Sequence, residues 1–402
     1  MTSLNGYFMS YQKTASALLA SYKYAEPFAA YLKKYFKQHH KFGSRDRKVI
    51  SDLCYGFFRI GKSADQYSLD DQLQIGFFLT HSQDNGYLAL VQPSWIEELT
   101  NSIDLKLNFI KFIYSSFDDT KIFPFSAQVD ASLDPDQFRK SHLIKPSFFI
   151  RIRPGRSEAV VKKLMEGNID FKQITPSCFL INGHSNLENL LEVNADYVVQ
   201  DFNSQKTQTF LPEFKEDSFP IWDACAGGGG KSILLHDIYK QSDLYVSDLR
   251  ETILVDLKLR LKQAKIRATN IFNVDLESKD ANSLIIKSIP KKGFRLILAD
   301  VPCSGSGTWG RNPESLRYFD EQDLVVFHQK QVSIIKTLIP FLQKGGFLLY
   351  VTCSVFTIEN DEVIDVIVKD TPLKMVKRGI LAENASNLQG DTLYAALLTL
   401  EA

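Results

Sequence analysis

Charge of neither sign is in excess: Lys+Arg and Asp+Glu each number 47 in 402 residues, a formal net charge of zero. Polyanion binding usually shows as a basic surplus, so the balance argues against a uniformly basic binding surface and leaves only a local patch. Cysteine is scarce. Cys54, Cys178, Cys225, Cys303 and Cys353 are odd in number, widely spaced and without a CxxC pair. That argues against a disulfide framework or a zinc site, so no metal is expected. No apolar run approaches the roughly 20 residues of a membrane helix. The start, MTSLNGYFMSYQKT, lacks the charged head, apolar segment and cleavage site of a secretory signal. A cytoplasmic monomer with no membrane partner is expected. Internal repeats and low-complexity tracts are also missing.

What is present is the composition of a folded chain, 44% hydrophobic and 23% charged, too long for one ordinary core. Residues 1–120 read as an all-α domain. Ile50, Leu53, Cys54, Phe57 and Phe58 recur at helical spacing between Arg45 and Ile60, and further helices are expected over 8–23, 25–38, 66–80 and 93–115. Cys54 falls on the buried face. A local basic patch runs through Lys33, Lys34, Lys37, Lys41, Arg45, Arg47, Lys48 and Arg59, against Asp46 and Asp52. Residues 121–145 read as a linker rich in turn formers. Residues 146–210 form a small α/β connecting subdomain, with strands at SFFIRIRP, SCFLING and YVVQD and a helix at EAVVKKLMEG.

From 211 to 402, short apolar runs alternate with helical stretches. FPIWDA, DLYVSD, NIFNVD, FRLILADVP, GGFLLYVTCS and TLYAALLTL are the strands of an α/β, doubly wound Rossmann-like domain with a parallel sheet. Ligands in such sheets sit beyond the carboxyl ends of the strands, and the informative residues fall there.

DACAGGGGKS, residues 223–232, follows a strand and opens a helix. Its glycines allow a tight turn and close approach of a ligand to the backbone. A phosphate-binding GxxxxGK[ST] loop would need its first glycine at Cys225, so that reading fails. Asp248 ends the next strand at a distance suited to ribose hydroxyls. Asp275 ends the one after and suits an adenine amino group. Two further strands each deliver a cysteine before a serine, in ADVPCSGSG (Cys303) and YVTCS (Cys353). Buried cysteines are usually inert packing, but a pair on neighbouring strands beside a ligand pocket points to chemistry.

DACAGGGGKS, ADVPCSGSG and VTCS followed by EN resemble the motifs of the Sun/Fmu-type, RsmB-like RNA cytosine-C5 methyltransferases. VVQDFNSQ (198–205), LQKGGFLLYVTCS and HQKQ (328–331) also match, so the likeness covers about residues 140–402. It implies S-adenosylmethionine as cofactor, bound by Cys225, Ala226, Gly227, Gly228, Gly229, Gly230, Lys231, Asp248, Asp275 and Asp300. It implies Cys353 as covalent nucleophile, Cys303 in product release, Asp300 at the target base and methyl-transfer centre, and Lys231 holding the cytosine. The chemistry supports a thiol. Addition of a thiolate to C6 breaks the ring's conjugation and makes C5 nucleophilic, dividing one hard step into easier ones. The chain departs from the family where alanine-proline is replaced by Gly227-Gly228, where an arginine after the ribose-binding acid is absent although Arg250 lies nearby, and where an RxN pattern reads Arg151-Ile152-Arg153.

GSRDRKVISDLCYGFFR resembles a segment of the NusB-like helical RNA-binding domain. The resemblance implies an RNA partner, ribosomal RNA being favoured and transfer RNA left open. DNA cytosine methylation is disfavoured because the TCS cysteine belongs to the RNA-type pattern. A non-catalytic RNA-binding assembly factor is disfavoured because binding alone has no need of two paired thiols.

Overall fold

The computed structural model describes residues 2–183, 187–382 and 389–401. The chain divides into two compact units, Met1–Lys145 with Thr308–Asp320, and Pro146–Gly307 with Glu321–Ala402. Among the described residues, no helix is long and apolar enough to cross a membrane.

The first unit is built on helices Thr2–Ser21, Phe28–Gln38, Ser44–Arg59, Leu69–Thr80 and Ile103–Ile113. Ile50, Leu53, Cys54, Phe57 and Phe58 are buried on one face of the third, as their spacing requires. Two boundaries differ from expectation. The first helix reaches back to Thr2, and the stretch before Ile103 is broken into short turns. There Ser102 accepts a hydrogen bond from the Leu105 N–H and starts the helix afresh. Residues 117–145 carry the fully buried Ile122 and Phe123, and Pro135–Ser141 is helical. Arg59 leaves the basic patch: it is buried and donates to the carbonyls of His142, Ile144 and Gly310.

The segment Thr308–Asp320 is part of this unit's core. Glu314 Oε1 accepts from the Phe28 N–H at 2.8 Å, at the start of helix Phe28–Gln38. The Arg317 guanidinium lies 4.2 Å from the centre of the Phe57 ring. Tyr318 stacks on Tyr24.

The second unit holds two sheets. β1 (Phe148–Ile152), β2 (Phe171–Gln173), β3 (Cys178–Ile181) and β4 (Tyr197–Val199) form an antiparallel sheet of order β2-β3-β1-β4. β5 (Pro220–Asp223), β6 (Asp243–Asp248), β7 (Asn270–Asn273), β8 (Phe294–Asp300), β9 (Leu342–Thr352), β10 (Leu373–Leu381) and β11 (Leu393–Leu400) form the larger sheet, of order β10-β11-β9-β8-β5-β6-β7. β5 to β9 run parallel and β11 lies antiparallel between β9 and β10. The sheet is therefore mixed, not wholly parallel. β10 and β2 were not expected from the residue pattern. Each is an edge strand with an exposed, charge-bearing face, and such strands lack the apolar alternation that marks a half-buried one. The reversal of order at β5 and β8 opens the crevice in which the site lies.

Candidate active site

β5 ends at Asp223, and the chain turns through residues 224–229 into the helix Gly230–Ile238. Gly227 and Gly229 have φ of +51° and +79°, which only glycine adopts at little cost. The turn points the Gly227 N–H at Asp248, which ends β6; it donates to Oδ2 at 2.8 Å. Asp248 also accepts from the Arg250 backbone N–H at 2.9 Å and from its guanidinium at 3.1 Å. Burial raises the Asp248 carboxyl, but the hydrogen bonds from Arg250 and Gly227 outweigh it and hold the group below the usual range. Asp275 stands two residues past β7, not at its end, and accepts from the Glu277 N–H at 2.9 Å.

These groups line a cavity of about 450 Å³ together with Cys225, Asp300, Cys303 and Cys353. Ala226, Gly228, Gly229, Gly230 and Lys231 are not part of the lining, although Lys231 is joined to it through Asp300. The walls also contain Leu249, Leu276, Ile334, and a Lys330–Glu277 ion pair of 2.7 Å, none of which the motifs single out as a site residue. Lys330 lies within HQKQ, whereas no local signal marks Glu277. Apolar walls with a few convergent polar groups and two acids beyond strand ends suit an adenosine-sized ligand. Among the described residues, no group of three or more His, Cys, Asp or Glu is placed to hold a metal ion.

At the other end of the cavity three groups meet. β8 ends at Asp300, whose Oδ2 accepts from Lys231 Nζ at 2.7 Å. Burial pulls the Lys231 ammonium down, yet the adjacent Asp300, by charge and hydrogen bond, leaves it above its ordinary pKa. Lys231 is therefore a fixed cation. Three residues beyond β8, Cys303 brings its sulfur within 3.3 Å of that of Cys353, which follows β9 directly. Parallel pairing of β8 with β9, Asp300 opposite Val351, sets this approach. The hydrogen bond to Cys353, then burial, then the charges of Cys353 and Glu359 hold Cys303 well above the usual thiol range. Cys225 is also pushed up, by burial and by Asp223, Asp300 and Asp248. A thiol in that environment is a poor nucleophile. Cys225 and Cys303 are thus both held as thiols.

The sequence carries its relatives in the same region. Residues 208–394 match the family described as 16S rRNA methyltransferase RsmB/F. Over 180 residues the chain is 29% identical to the probable ribosomal RNA small subunit methyltransferase B of Bacillus subtilis (strain 168), covering 44% of this chain and 38% of that relative. The chain thus matches well under half the length of that curated relative. In fold, the solved structure of PH0851 superposes with a TM-score of 0.67 at 19% identity, over 91% of this chain and 93% of that one. NSun6 from Pyrococcus horikoshii, solved with SFG, gives 0.57 at 13% identity over 71% and 98%. At these identities the structures speak for the fold. Residues 208–394, a little under half of the chain, are thus similar to the RsmB/F, or Sun/Fmu, family of methyltransferases.

Proposed function

We propose that the chain methylates carbon 5 of a cytosine in RNA, with S-adenosylmethionine as methyl donor and Cys353 as covalent nucleophile. Ribosomal RNA is the favoured substrate, given the relatives' names and the basic helices of the first unit. The observation that carries the reading is the pair of sulfurs 3.3 Å apart, beside an Asp300–Lys231 pair, on one cavity wall.

Asp248, Asp275 and the turn at Gly227 would hold the cofactor, whose adenosine matches the mixed apolar and acidic walls. When bound, S-adenosylmethionine supplies an electrophilic methyl group on a sulfonium. The Cys353 thiolate adds to C6 of the cytosine, and the S–C6 bond places electron density on C5 and on the ring's polar edge. Asp300 contacts that edge and Lys231 fixes Asp300, so the charge that develops meets an oriented pair and not bulk water. Once C5 has been methylated and its proton lost to solvent, the S–C6 electron pair returns to Cys353. The Cys303 thiol hydrogen-bonds the departing sulfur and eases its release.

The test is methyl transfer from labelled S-adenosylmethionine to ribosomal and transfer RNA, followed by bisulfite sequencing of the product. A new protected cytosine in ribosomal RNA is expected. Label on another base, or on no RNA at all, would overturn the proposal.

A further inference from the structure

The EN that follows VTCS is unused by the chemistry above, yet Glu359 has the most connected carboxylate around the two thiols. It is fully buried on the turn Thr357–Glu359. Oε1 accepts from the Ser304 backbone N–H at 2.7 Å and from Gln331 Nε2 at 3.1 Å. Oε2 accepts from the hydroxyls of Ser304 and Ser354, each at 2.5 Å. Ser304 follows Cys303 and Ser354 follows Cys353. One carboxylate therefore grips the residue after each cysteine. Among the described residues no Lys or Arg pairs with it; its partners are hydroxyls and amides.

A buried carboxylate without a cation is costly unless its lone pairs are filled, and here N–H and O–H donors fill them. A merely structural tie between two loops could be made by neutral groups at less cost. We propose that Glu359 is a positioning residue that assigns the two thiols their separate roles, binding both cysteine turns to one negative charge. The inference rests on the covalent reading of Cys353 given above.

The geometry supplies two effects. The three hydrogen bonds from Ser304 and Ser354 hold both turns in one register, which keeps the sulfurs within reach of each other. The charge stands close enough to Cys303 to disfavour a thiolate there. That bias keeps the proton on Cys303, the thiol to which the reading gives product release. Gln331, from the HQKQ match, links the same carboxylate to the Pro302 carbonyl at 3.0 Å and braces the Cys303 turn from the helix Asp323–Leu338.

The experiment uses the full chain and iodoacetamide, with the alkylation rate of each cysteine followed by peptide-resolved mass spectrometry from pH 5 to 10. In the unaltered chain Cys353 should alkylate faster than Cys303 at neutral pH. Glu359→Gln keeps the size and most of the bonds but removes the charge. The Cys303 profile should then move about one unit to lower pH, and the preference for Cys353 should shrink roughly tenfold. Glu359→Asp, which restores the charge, should restore most of the preference. An unchanged ratio in a folded Glu359→Gln overturns the proposal. If that variant does not fold, loss of the preference in Glu359→Asp overturns it instead, and its retention supports it. Failure of the covalent reading looks different: Cys353→Ala keeps full methyl transfer to RNA, whatever the alkylation ratio of the unaltered chain.

Discussion

Lys231 and Asp300 are 69 positions apart in sequence and 2.7 Å apart in space. One comes from the first turn of the helix after the glycine loop and the other from the last residue of β8. Their ion pair is largely shielded, with side-chain exposures of 14% and 31%. Replacing Lys231 with Met leaves Asp300 unpaired. The variant should lose about 1–3 kcal/mol of stability, below the range for wholly buried pairs because Asp300 keeps some water. It should also lose at least a hundredfold in methyl transfer. Thermal unfolding and single-turnover methylation measure the two effects separately.

Cys353→Ala should abolish methyl transfer while binding of S-adenosylmethionine, measured by calorimetry, persists. Full activity in that variant removes Cys353 from the role of nucleophile. Cys303→Ala should accumulate a covalent protein–RNA adduct, seen as a slow band in a denaturing gel. With the assisting thiol gone, the return of the S–C6 electron pair to Cys353 becomes slow. The absence of such a band would end the release role.

Asp223 gives a pH signature. Burial pushes its carboxyl up from 3.8 to about 7, against the Ser232 hydrogen bond of 2.6 Å that stabilises the ionised form. The folded chain therefore holds a proton that the unfolded chain has released, and stability falls as pH rises between those values. The contribution is complete below about 3.8 and gone once pH has passed about 7. In Asp223→Asn the unfolding temperature should depend less steeply on pH across that window. Parallel curves for the two proteins would contradict the assignment.

Gly307 is held on both sides. Its N–H donates to the Cys353 carbonyl at 2.9 Å, and its own carbonyl accepts from the Thr392 N–H at 2.8 Å. A methyl group added there would stand 1.9 Å from the Thr392 carbonyl oxygen. Gly307→Ala should cost about 1–3 kcal/mol by overpacking. Because a shift of Gly307 also disturbs its hydrogen bond to the Cys353 carbonyl, adduct formation should slow more than the stability loss explains. Stopped-flow adduct formation well below the melting temperature separates the two.

Whether the first unit binds RNA is best tested by charge reversal. Residues 308–320 belong to that unit, and Glu314, Arg317 and Tyr318 pack on its helices, so deleting residues 1–120 would strand them. Lys33, Lys34 and Lys37 are exposed on the helix Phe28–Gln38. Changing all three to Glu should weaken RNA binding and lower the salt dependence of affinity. The log–log slope should fall by about 0.7–0.9 for each phosphate that is no longer neutralised. Unchanged affinity and slope would make this face a structural cover.

Local pattern carried far. Strand runs ending in Asp248, Asp300 and Cys353, the glycine turn and the helix Ser44–Arg59 were legible because each is written in contiguous residues with a period or a turn residue of its own. β2 and β10 were not, since an edge strand has one side bonded and its side chains largely in water. Arg59 looked like one more surface cation. Its burial depends on the carbonyls of His142, Ile144 and Gly310, which no local window contains.

By itself, the sequence determined the class of fold, the order of the strands along the chain and the residue types delivered to the strand ends. Only the tertiary structure decided which ends are neighbours. Placing β11 antiparallel beside β9, and β8 in register with β9, brings two distant thiols to 3.3 Å and puts Glu359 behind both. Register and sheet order are set by packing between segments far apart in the chain, and a reading of local periodicity has no access to them.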